Sequence, residues 1–275
     1  MPFHAKQHME KLVRPSCIFY GIALIVYGIQ QFVYSSFRPV FFPAWQSSLP
    51  LLKLWAWLFG IGLIAAGVVI IAGKKVRITA LIVGGVFLLL FLLVQIPFEI
   101  ISDPYNKHFG SWAVALKELA LSGGAFLIAG AVPEERMNTA TKSGVIILLE
   151  KLIPAGSFFF CFTITSFGIM HFMYTALISK LVPAWFPDPI FWTYFGAVAL
   201  TGSGVAIILQ IKTRTIAMLL GSMIFIWFVI LHSPRAIADP NGNRGNELAS
   251  VFDALAFTGI AFIIAATAKQ KEQYL

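Results

Sequence analysis

Apolar residues along this chain come in long runs, not in stripes at helical spacing. Eight runs fall at 17–34, 52–72, 78–96, 112–131, 155–178, 190–210, 215–232 and 249–267. Each is close to the ~20 residues of helix that cross a bilayer core. The pattern predicts an all-α membrane protein with eight transmembrane helices. Within the runs glycines come in close sets, among them Gly60/Gly62/Gly67, Gly84/Gly85, Gly123/Gly124 and Gly202/Gly204. In water such sets weaken a helix, whereas in lipid they let helix backbones approach and pack. The first run follows a basic stretch, MPFHAKQHMEKLVRP, as the core of a signal peptide does. No A-x-A site follows it and its counterpart at 156–179 is internal, so a retained helix is expected.

Composition agrees with the pattern. Only 12% of residues are charged and mean hydropathy is +0.84. Soluble domains carry about 25% charged residues. The formal charge of +8 would also fit a nucleic-acid surface, but its placement follows the positive-inside rule instead. With eight crossings, thirteen of the 20 Lys and Arg lie on the side of the two termini. This predicts cytoplasmic termini, the lipid bilayer as surroundings and no nucleic-acid partner. Cys17 and Cys161 sit near the starts of two runs and form no CxxC, so both read as small hydrophobes.

The chain also repeats itself. GIQQFVYSSFRPVFFPAW at 28–45 returns as GIMHFMYTALISKLVPAW at 168–185, which sets Tyr34 on Tyr174 and Pro43-Ala44-Trp45 on Pro183-Ala184-Trp185. After a three-residue slip, Arg77 meets Arg214, Gly84 meets Gly221 and Pro97 meets Pro234. Asp103-Pro104 then meets Asp239-Pro240, and SGGAFLIA at 122–129 meets TGIAFIIA at 258–265. Four helices per half is an even number, so both halves enter the membrane in the same sense. The expected architecture is two parallel-repeat four-helix bundles: a first unit at 1–132, a cytoplasmic linker at 133–151 and a second unit at 152–275.

With GIMHFMY, the VPAWFPDP exit, the glycine-bearing second helix and the HSPRAIADPNGNRGNELASVFDALAFTG segment, the chain resembles the DoxX-like family of bacterial membrane proteins. The resemblance covers nearly the whole chain, as two fused units. It implies a bacterial plasma-membrane location and a four-helix bundle per unit. In some members it also implies subunits of quinone-linked sulfur-oxidation or oxidant-defence complexes. From it follow a membrane quinone as candidate ligand and a redox subunit as candidate partner, with no oligomeric state specified.

Ionisable residues inside membrane spans are costly and point to function by default. His171 lies in the fifth run and His232 closes the seventh, on the non-cytoplasmic side. Their counterparts are Gln31 and Gln95, which hydrogen-bond but carry no proton at ordinary pH. A working site in the second half, with a silent copy in the first, fits this pairing. So does a set of helix–helix hydrogen bonds. Tyr174, three residues after His171, is expected on the same helix face. Trp45 and Trp185 read as interfacial anchors. Signs are swapped between the halves, Glu99 and Lys117 in the first against Arg235 and Asp253 in the second. That pattern predicts one ion pair per half, with Arg235 also able to hold a carbonyl or an anion through its planar fork. Asn246, Ser250 and Asp253 share a face of the eighth helix, and Glu247 reads as favouring its N-terminal dipole. The candidate site is therefore His171 and His232 as proton-carrying groups, with Tyr174, Arg235 and Asp253 as ligand contacts. No P-loop, GxSxG, HExxH or Cys-rich metal signature is present. The functional reading is a quinone-linked membrane subunit, and its alternative is a non-enzymatic carrier or an assembly partner of a redox complex.

Overall fold

The computed structural model describes residues 3–43, 50–105, 107–133 and 143–268, without the side chains of 3–10, 243 and 244. Among these residues the chain is all-helical, and eight helices are long and apolar enough to cross a membrane. In lipid every backbone polar group must be paired within its own segment, and uninterrupted apolar helices satisfy that condition. The crossings are α1 (Phe3–Tyr34), α2 (Leu52–Ala72), α3 (Val76–Leu90) with its continuation to Ser102, and α4 (Ala113–Ala131). After α5 (Gly144–Glu150) come α6 (Gly156–Met173), a short α7 (Thr175–Ile178) and α8 (Pro189–Ile208). The last two crossings are α9 (Thr213–Trp227), extended through α10 (Ser233–Ala238), and α11 (Gly242–Thr267). Trp45 lies outside the described residues.

Some helix ends carry a cap that the sequence supplies. Gly73, at φ 77°, closes α2 and returns its N–H to the carbonyls of Val69 and Ile70. The Asp188 carboxylate accepts from the Phe191 N–H, and Pro189 occupies the first turn of α8, where a missing N–H costs nothing. The segment expected as a linker includes the helix α5. There α5 lies beside α3, and the Arg77 guanidinium reaches Glu150 at 3.2 Å.

Two helices form the centre. About 72% of the apolar window of α4 and of α11 is buried inside the protein, against 17–44% for the other six crossings. Small residues make this burial achievable, with Ala115, Ala120 and Ala125 on α4 and Ala254, Ala256 and Ala261 on α11 all enclosed. Around this pair α1 leans on α2 and α11, α6 on α8 and α4, α3 on α4, and α9 on α11. Helix 1 thus packs far more on α11 than on α4, so the packing passes between the first and second halves of the chain. At the α1–α2 crossing a Cβ on Gly28 would lie 2.6 Å from the Gly60 carbonyl oxygen, so only glycine allows the approach. The outward faces carry Ile61, Leu93, Val198 and Leu219, large apolar side chains that lipid can cover.

Candidate functional site

The central pair brings two opposite charges together. Lys117 on α4 and Asp253 on α11 form one ion pair, Nζ to Oδ2 at 2.7 Å. The Tyr27 hydroxyl on α1 donates to the other carboxylate oxygen, Oδ1. Lys117 and Asp253 each lie about two helical turns, ~12 Å, from the N-terminal end of their spans. Tyr27 lies at a similar depth from the C-terminal end of α1. This corrects the expectation of one ion pair in each half. The swapped charges face each other because α4 and α11 are neighbours, so a single pair neutralises both.

The other two swapped residues find different partners. Arg235 Nη2 donates to Glu247 Oε1 at 2.7 Å, while Glu99 Oε2 accepts from the Ser111 hydroxyl at 3.0 Å. Each bond ties the end of one crossing to the start of the next. Glu247 therefore serves as the acceptor for Arg235 rather than as a helix cap. It sits inside α11, which begins at Gly242.

His232 and Gln95 share a local backbone setting. Each ends a π-helical turn, Phe228–His232 in one case and Phe91–Gln95 in the other. Such turns are rare and recur at functional sites. Their hydrogen bonding differs. Gln95 Nε2 donates to the Pro39 carbonyl at 3.0 Å and to the Val40 carbonyl at 3.2 Å. Buried His232 Nδ1 has no hydrogen-bond partner, and the charges of Lys117, Asp253 and Arg235 act on its ring.

His171 belongs to a second centre. Its Nδ1 lies 2.7 Å from the Phe167 carbonyl of its own helix, and its ring edge flanks Gly196 together with the indole of Trp227. No hydrogen bond among the described residues joins His171 to His232. The shared face expected for Tyr174 is also lost. Helix 6 ends at Met173, and Tyr174 adopts φ −120° and ψ 33°. Its hydroxyl instead accepts the Gly110 N–H at 3.1 Å, across to the start of the fourth crossing.

Sequence reasoning passed over several buried polar residues. Arg38 is only 3% exposed. Its Nη2 donates to Asn246 Oδ1 at 2.9 Å, and its backbone N–H donates to Gln31 Oε1 at 3.1 Å. The guanidinium stands 4.5 Å from the centre of the Tyr34 ring, within cation–π range. Burial draws Arg38 below the usual arginine range, and Tyr34 opposes that shift. Asn246 and Asp253, seven residues apart on one face of α11, thus bind Arg38 and Tyr27 respectively. Glu118 is fully enclosed, and neither carboxyl oxygen makes a hydrogen bond of normal geometry. An acid inside an apolar run is a visible signal, and the rule that singled out Lys117 applies equally to Glu118. Tyr27 gives no such signal, because a tyrosine in an apolar run reads as packing.

Among the described residues no group of three or more His, Cys, Asp or Glu is placed to hold a metal ion. No protein-family model, curated protein or solved structure matches the chain.

Proposed function

We propose that this is a DoxX-like protein of the bacterial plasma membrane, built from two parallel four-helix repeats with cytoplasmic termini. In this reading its second half holds a membrane quinone near the outer face. One observation carries the ligand assignment. At equivalent π-turn ends, Gln95 is saturated by two carbonyls, whereas His232 keeps a buried Nδ1 with no partner. A buried polar atom without a partner costs about 1–3 kcal/mol, and a quinone oxygen or hydroxyl would remove that cost.

The outer segments support the same asymmetry. Residues 35–43 fold into the first half, with Phe41 enclosed against Tyr27, Phe59 and Phe87. The matching segment of the second half stays at the surface, where Leu177, Leu181 and Trp185 are exposed. The repeat reading is supported by paired contacts. The Tyr34 ring lies on Gly245 and the Tyr174 ring on Gly110, each at the start of the other half's last crossing.

His232, with His171 as the second proton-carrying group, exchanges protons with the quinone. Arg235, steadied by Glu247, faces a carbonyl oxygen, and Asp253 with Tyr27 and Lys117 fixes the charge beneath. Electrons come from or go to a partner redox subunit. The test is quinone content and quinone reduction with that subunit, comparing wild type with His171→Gln plus His232→Gln, which copies the first half into the second. Unchanged quinone binding and turnover in the double variant would remove the assignment. The mutual satisfaction of Lys117 with Asp253 and of Arg235 with Glu247 favours a second reading, a non-enzymatic carrier or assembly partner. In that case a partner co-purifies without bound quinone or turnover.

A further inference from the structure

We propose that Glu118 is a proton-binding site in the membrane core, a neutral carboxylic acid kept apart from the ion pair beside it. This does not rest on the quinone reading. Glu118 is fully enclosed in α4, and neither of its carboxyl oxygens has a hydrogen-bond partner. Gln95, on the third crossing, gives its Nε2 hydrogens to the Pro39 and Val40 carbonyls.

The surrounding charges are engaged elsewhere. Lys117 is the next residue, but neighbours in sequence point away from each other on a helix, and its ammonium is held by Asp253. On α1, Tyr27 binds Asp253 and Tyr20 donates to the Leu121 carbonyl. Beyond α3, Glu99 takes the Ser111 hydroxyl, and in the outer loop Arg38 holds Asn246. His171 on α6 bonds its own helix. None of these supplies a counter-charge to Glu118, and an ionised carboxylate without one is strongly disfavoured inside a membrane protein.

Infrared spectroscopy of the purified full-length protein, with no quinone added, tests the site. A protonated-carboxyl stretch that moves in heavy water is expected in wild type and is lost in Glu118→Gln. The glutamine matches the acid in size and carries no charge, so the fold is kept. If that variant does not accumulate, Glu118→Asp shifts the band instead of removing it. A hydrophobic carbodiimide, which reacts with protonated carboxyls, should label the peptide bearing Glu118 and not the one bearing Asp253. A carboxylic-acid band left unchanged by both substitutions, or carbodiimide label on Asp253 alone, overturns the proposal.

Discussion

Replacing Lys117 by Met strands Asp253 at the centre of the bundle, and the structure sets how much that costs. The Asp253 side chain is 8% exposed and that of Lys117 26%. Removing one member of a buried pair costs about 3–5 kcal/mol, most of it from the charge left behind. Because Lys117 is partly exposed and Asp253 keeps the Tyr27 hydroxyl, the lower end applies, ~3 kcal/mol. Asp253→Asn alone leaves the ammonium uncompensated and costs a similar amount. The double variant removes both charges and loses only the pair's net contribution, so the effects are far from additive. The coupling expected between contacting residues is about 0.5–3 kcal/mol, and here the upper half of that range is expected. Reversible unfolding in mixed detergent micelles, followed by circular dichroism, gives the four free energies of the cycle. The parallel cycle of Lys117 with Glu99 should be additive, since Glu99 takes the Ser111 hydroxyl. Coupling below ~0.5 kcal/mol for Lys117 with Asp253, or coupling of Lys117 to Glu99 instead, would refute the assignment of this pair.

Two further outcomes follow from packing and hydrogen bonding. Gly28→Leu forces α1 from α2, because even a Cβ there lies 2.6 Å from a backbone oxygen. At Gly62, on α2 of the same pair, an added Cβ meets nothing within 4 Å, which leaves room for Gly62→Leu. The first substitution should abolish folded yield in detergent, and the second should leave the melting temperature unchanged. Gln95→Leu strips the Pro39 and Val40 carbonyls of their donor, at a cost of about 1–3 kcal/mol for each group that water does not reach. Limited proteolysis should then cut the 35–43 segment faster than in wild type, and an unaltered rate would mean that Gln95 does not anchor it.

The crossings were legible in the sequence. Their number and approximate bounds follow from run length alone, because a bilayer imposes one length on every helix that spans it. Close helix contact was legible too, since glycine sets such as Gly60 and Gly67 mark where backbones meet. The helix Gly144–Glu150 fell inside the segment expected as a linker. The candidate site was legible only as a set of residues. Lys117, Asp253, Arg235 and His232 stood out because charge and imidazole are rare inside spans. Their partners were not readable, because helix order along a chain does not give helix neighbours in a bundle. Tertiary structure decided that α4 and α11 lie side by side at the centre. That placement joins Lys117 to Asp253 rather than giving each half its own pair. It also separates Tyr174 from His171, because the helix stops between them. The enclosure of Glu118 and the difference between Gln95 and His232 depend in the same way on which loop folds inward. The physical reason is common to all of these: hydrophobic length is a property of one segment, whereas the pairing of a buried polar group depends on what the other helices bring to it.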